Sequence, residues 1–208
     1  MRSLAAAAAT IALAACSAQS PADRDDREPP TNLSALPPGS STDSLANAAA
    51  ASRERPALAI EGDGLRLVDP ASGRARSLPF GLGRAQVMDA LAFLRAPTES
   101  GFLSECGPGP LDRAAWPGGL TLYFQHNRFA GWALRAPADA GGGARLTTAS
   151  GIGLGSTRAS LERVHETEVF DSSLGTEFSA GKLFGLLDGA GPQARITEMW
   201  AGVSCVMR

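Results

Sequence analysis

The stretch Gly151-Ile152-Gly153-Leu154-Gly155-Ser156 most invites a chemical reading, because clustered glycines let backbone N–H groups approach a phosphate. Dinucleotide binding needs G-x-G-x-x-G between a buried strand and a helix, with an acidic residue about 20 positions later. Here the glycines simply alternate, and Leu146-Thr147-Thr148-Ala149-Ser150 before them makes a poor buried strand. A P-loop needs Gly-Lys followed by Ser or Thr, a step the sequence does not contain. A tight turn entering a helix, with Ser156 or Thr157 as N-cap, accounts for the same residues. His126 and His165 are the only histidines, the first in an expected turn and the second on an expected helix. A zinc site takes three or four ligands, and no spacing here gathers them. A Ser-His-Asp triad is a spatial arrangement that sequence leaves open, but the G-x-S-x-G elbow is missing. Glu162, Glu166 and Glu168 fall on and just beyond the expected second helix, where such carboxylates form a solvated face. The residues thus read as a protein with no catalytic group, no metal and no cofactor, hence not an enzyme.

Charge narrows the partners. The formal net charge is −2, and the basic residues are spread out and almost all arginine, with Lys182 the single lysine. A nucleic-acid partner needs a concentrated basic footprint, so none is expected.

The N-terminus supplies the clearest address. Arg2 starts it, and Leu4 to Ala15 form a mostly apolar run ending in small residues, the layout of a secretory signal peptide over residues 1–15. Leu13-Ala14-Ala15-Cys16 resembles the lipobox of bacterial lipoproteins. That resemblance implies removal of the peptide, acylation of Cys16 as the new N-terminus, and a membrane partner held through the lipid. Ser17 in place of the aspartate that retains such proteins in the inner membrane implies the outer membrane, facing the periplasm. An ordinary signal peptide cut after Ala12-Leu13-Ala14 is the alternative. Residues 16–55 carry Pro21, Pro29, Pro30, Pro37, Pro38 and the run Asp23 to Glu28, too little apolar surface to offset chain entropy. They read as a disordered tether, spanning roughly 35 Å if it scales as a flexible linker. With Cys16 acylated, Cys106 and Cys205 remain, and an oxidising compartment favours a disulfide between them. Two buried thiols are the other possibility.

Residues 56–208 then make one domain, expected to be α+β with two similar helix-plus-antiparallel-sheet halves at about 78–135 and 150–208. In the first half, Gly81-Leu82-Gly83 precedes a helical stretch from Arg84 to Leu94, with Val87, Leu91 and Leu94 at helical spacing. Strands are expected around 111–116, 120–125 and 128–135. In the second, Gly153-Leu154-Gly155 precedes a helix over 156–166, and strands follow around 176–179, 182–187 and 195–201. A connector runs from Pro137 to Gly143. This tandem pattern from Leu78 to Arg208 resembles the β-lactamase inhibitor protein and the small outer-membrane assembly lipoproteins. The resemblance implies a binding role, with an envelope protein as partner.

One hairpin suggests where binding would occur. A two-residue loop at His126-Asn127 pairs Phe124 with Phe129, Leu122 with Gly131 and Leu120 with Ala133 on one face. Tyr123, Trp132 and Arg128 then fall on the opposite face, mixing aromatic and polar groups as interfaces do. Packing of that face against the other half is the alternative. The function expected is that of a periplasmic lipoprotein that binds protein, as an envelope-assembly accessory or an inhibitor-like module. The rival reading is a small periplasmic enzyme or ligand-binding protein with its site between the halves.

Overall fold

The computed structural model describes residues 55–136 and 146–205. The signal peptide, Cys16, nearly all of the tether and the connector lie outside them.

Alternating apolar residues start the fold. Leu58 and Ile60 on β1 (Ala57–Glu61) lie opposite Leu67 and Leu65 on β2 (Gly64–Val68), and Leu65 lies opposite Leu78 on β3 (Ala75–Pro79). These strands form a three-stranded antiparallel sheet in chain order. The remaining strands are β4 (Glu99–Leu103), β5 (Leu111–Ala115), β6 (Leu120–Gln125), β7 (Arg128–Arg135), β8 (Glu168–Ser172), β9 (Gly175–Ala180), β10 (Leu183–Leu187) and β11 (Ile196–Gly202). They make one eight-stranded antiparallel sheet in the order β4-β5-β6-β7-β11-β10-β9-β8. Each run of four is a meander, and the two meet at their last strands, β7 and β11.

Only two helices occur among the described residues, α1 (Arg84–Ala90, seven residues) and α2 (Arg158–Glu162, five residues). The expected α+β class is therefore wrong: the protein is β-rich, and helices this short do not make helix-plus-sheet halves. Each helix buries little. Val87 and then Leu91 anchor α1, and Leu161 anchors α2, so strands supply most of the core. Thr157 is the N-cap of α2, its Oγ1 accepting the Ser160 N–H at 3.1 Å.

What recurs is the way a turn is tied to a last strand. The N–H of Gly81 donates to Phe129 O at 2.7 Å, its carbonyl accepts from Arg128 Nη1 at 2.9 Å, and the Arg84 N–H donates to Asn127 O at 2.9 Å. The N–H of Gly155 donates to Ile196 O at 2.8 Å, its carbonyl accepts from Arg195 Nη1 at 2.9 Å, and the Arg158 N–H donates to Ala194 O at 2.8 Å. Both glycines have positive φ, 92° and 79°, a conformation that a Cβ disfavours. Gly155 thus stands where Gly81 does, and Thr157 where Gly83 does. The sequence match of Gly81-Leu82-Gly83 to Gly153-Leu154-Gly155 is offset from this equivalence by two residues.

One face of the large sheet packs on the small sheet and the helices. Ile60, Leu65 and Leu78 share a buried cluster with Val87, Leu161, Leu122, Phe124, Phe129, Trp132, Phe178 and Met199. Trp132 lies at its centre, fully buried, and satisfies its indole N–H by donating to Glu61 O at 2.9 Å.

Candidate functional site

The second face of the large sheet carries its own apolar group: Leu111 and Tyr123 from β5 and β6, Ala133 from β7, Trp200 from β11, and Cys106. Cys106 follows β4 and Cys205 follows β11, and the two are joined by a disulfide of 2.10 Å. The bond crosses the β7–β11 joint, so it fastens the end of one meander to the start of the other. The Val203 N–H donates to Ala130 O at 2.9 Å, holding the last segment against β7. Gly131 makes that approach possible, since a Cβ there would stand 2.1 Å from Val203 O. Val203 and Cys205 pack on the Tyr123–Trp200 cluster, together with Leu103, Phe184 and Leu186.

Charges border this cluster. Arg135 Nε bonds Glu198 Oε1 at 2.5 Å, and Arg113 pairs with Glu99. Burial raises the Tyr123 hydroxyl above its ordinary pKa; Arg135 lowers it, Glu198 raises it and Arg113 lowers it again. Farther along the same face, β10 presents Phe184 and Leu186, both half-buried, and β8 presents Phe170 at 37% exposure.

The three residues expected to form a binding face are separated. Tyr123 is on the second face but 8% exposed, under the disulfide-linked segments. Trp132 is on the core face, and an open aromatic surface containing it does not exist. The cause is a β-bulge: Tyr123 pairs with Gly131 but Phe124 pairs with Phe129, leaving Ala130 as an extra residue. Beyond it the register moves by one, so Trp132 lies opposite Leu122 and not Thr121, and every later side chain of β7 changes face. Gly131 inside a strand pattern is the available signal, since such glycines mark bulges and close backbone approach. Arg128, at the hairpin, is the anchor of the Gly81 turn.

The hairpin itself forms as expected, with His126 and Asn127 at φ 51° and 60°. The glycine run 151–155 forms the turn before α2. Glu162 pairs with Arg158 along α2 at 2.6 Å, and Glu166 and Glu168 are exposed. Among the described residues no cluster of His, Cys, Asp and Glu could hold a metal. Sequence reasoning misses one contact: His165 Nε2 lies 3.2 Å from Ser150 Oγ. The two residues belong to different turns, and no spacing rule connects them. Compared with protein-family models, with curated proteins and with solved structures, the chain matches none.

Proposed function

We propose that the protein is an envelope lipoprotein, anchored through Cys16, that binds another protein with the second face of its eight-stranded sheet. The observation that carries this reading is the makeup of that face on the β8–β11 side. Phe170, Phe184 and Leu186 lie there interleaved with Glu177 and Ser179 of β9 and flanked by Glu168 and the Arg135–Glu198 pair, a face that mixes apolar and charged groups. The Cys106–Cys205 disulfide supports an exported, oxidised protein, because such bonds are rare in reducing compartments. The lipobox-like Leu13-Ala14-Ala15-Cys16 supports membrane attachment, and Ser17 the outer membrane facing the periplasm. The pattern resemblance to the β-lactamase inhibitor protein and the small assembly lipoproteins supports a binding role.

The test is crosslinked capture from intact cells, comparing the full chain with Cys16→Ala and with a Phe170→Glu/Leu186→Glu variant. One envelope protein recovered by the wild type and lost from both variants is the expected result. Equal recovery by the sheet variant would refute the assigned face. Absence of any enriched protein would refute the binding role.

A further inference from the structure

We propose that Ser150 and His165 form a nucleophile–base pair that accepts an acyl group from a small uncharged ester, at a site that borders the protein-binding face at Glu168. The pair is built from a short chain of hydrogen bonds. Thr148 is 3% exposed, and its Oγ1 accepts the Ile152 N–H at 3.1 Å. The same oxygen lies 2.9 Å from Ser150 Oγ, a contact in which either hydroxyl can be the donor. With Thr148 as the donor, the order the proposal requires, the Ser150 proton is free for His165 Nε2 at 3.2 Å. That order places the imidazole proton on Nδ1 and leaves Nε2 as the base, the relation that activates a serine.

Both partners have fixed backbones. Ser150 sits in a turn closed by the Gly151 N–H donating to Thr148 O at 2.9 Å, and its side chain is exposed. His165 follows α2, with its N–H on Leu161 O at 3.0 Å and its carbonyl accepting from Thr167 Oγ1 at 3.1 Å. An open depression of about 480 Å³ adjoins the histidine, lined by Val164, His165, Glu166, Thr167, Glu168 and Ser179. Ser150 is not among its lining residues, so its volume serves a small acyl or alkoxy tail on the histidine side of the pair. Glu166 and Glu168 disfavour an anion there, which selects an uncharged ester.

In the step itself, Ser150 Oγ attacks the ester carbonyl carbon and its proton passes to His165 Nε2. The alcohol leaves with that proton as the C–O bond breaks, giving the serine ester. Water then attacks the serine ester, His165 takes the water proton and returns it to Ser150 Oγ, and the carboxylic acid departs. No carboxylate is bonded to His165 Nδ1 among the described residues. Turnover is therefore slow, since removing the acid of a full triad costs about 10⁴-fold in kcat.

The experiment is covalent labelling of the full chain with an uncharged fluorophosphonate, with the adduct located by peptide mapping. One label per chain on Ser150 is expected, with at least a roughly 100-fold slower rate in His165→Gln and none in Ser150→Ala. Mapping on the wild type reads the site whether or not a variant folds. A wild type that takes no label, or takes it elsewhere, would overturn the proposal. So would a His165→Gln protein labelled at the wild-type rate.

Discussion

Removing the disulfide should cost this protein a large part of its stability, and the structure sets the size. Cys106 and Cys205 are 99 residues apart, so the bond closes a long loop in the unfolded chain. In the chain-entropy treatment a loop of about 100 residues is worth up to about 4.7 kcal/mol at 25 °C. Native-state effects work in the same direction here, because Cys106 is 7% exposed in the Tyr123–Trp200 cluster and Cys205 packs on it. The perturbation is Cys106→Ala/Cys205→Ala, which removes both sulfurs of the bond. For a domain of this size the loss corresponds to a fall of about 10–20 °C in Tm. Urea unfolding followed by tryptophan fluorescence measures it, since Trp116, Trp132 and Trp200 are all buried and report loss of the core. A loss under about 1 kcal/mol would refute the reasoning. It would mean that the bond lies outside the cooperative unit, or that the unfolded chain is already confined.

Two more outcomes follow from single side chains. Tyr123 is the only tyrosine, so tyrosinate absorbance reports it alone. Its folded pKa is raised, so the associated stability is intact below the ordinary tyrosine value of about 10 and is lost as pH rises past it. Tyr123→Phe should flatten that alkaline decline; a native tyrosine titrating like a free one would refute the burial argument. Arg128→Ala and Arg195→Ala each remove a guanidinium bond to a turn glycine carbonyl, at Gly81 and Gly155 respectively. Each should cost about 1 kcal/mol, and the costs should add in the double variant. Unfolding free energies from urea titration that differ between the single variants by more than about 1 kcal/mol would break the equivalence of the two turns.

Much of the sheet is legible in the amino-acid sequence. Strands β5, β6, β7, β9, β10 and β11 announce themselves by alternation and turn residues, because period-2 burial is a local signal. The hairpin at His126-Asn127 is legible for the same reason. Three features are not. Leu58, Ile60, Leu65 and Leu67 around Gly62-Asp63 spell a hairpin, but so short an apolar run beside a long polar tether does not stand out as one. Apolar spacing overstates helix length: Leu94 and Val164 continue a pattern that the chain does not use as helix, because Pro97 and the strands that follow end it early. The face of Trp132 depends on one bulge at Ala130, and a single inserted residue inverts every assignment beyond it. The disulfide is inferable from cysteine count and compartment, while Ser150 and His165 meet only through tertiary packing that no local pattern encodes.

The strand order has a consequence for how the chain becomes a protein. β7 is the fourth strand of the first meander, yet its outer edge is completed only by β11, near the far end of the sequence. Until residues 196–202 arrive, the first meander has an open edge of backbone donors and acceptors, with Phe124, Phe129 and Trp132 beside it. Cys205, the partner of Cys106, comes three residues after β11 ends, so oxidation cannot seal the first half ahead of time. Productive folding of this sheet is thus deferred until residues 196–202 have emerged, and a polypeptide stopped short of Ile196 would have both a bare strand and a Cys106 without its partner. Such a product keeps the unpaired edge and apolar surface that make partly folded chains prone to aggregate.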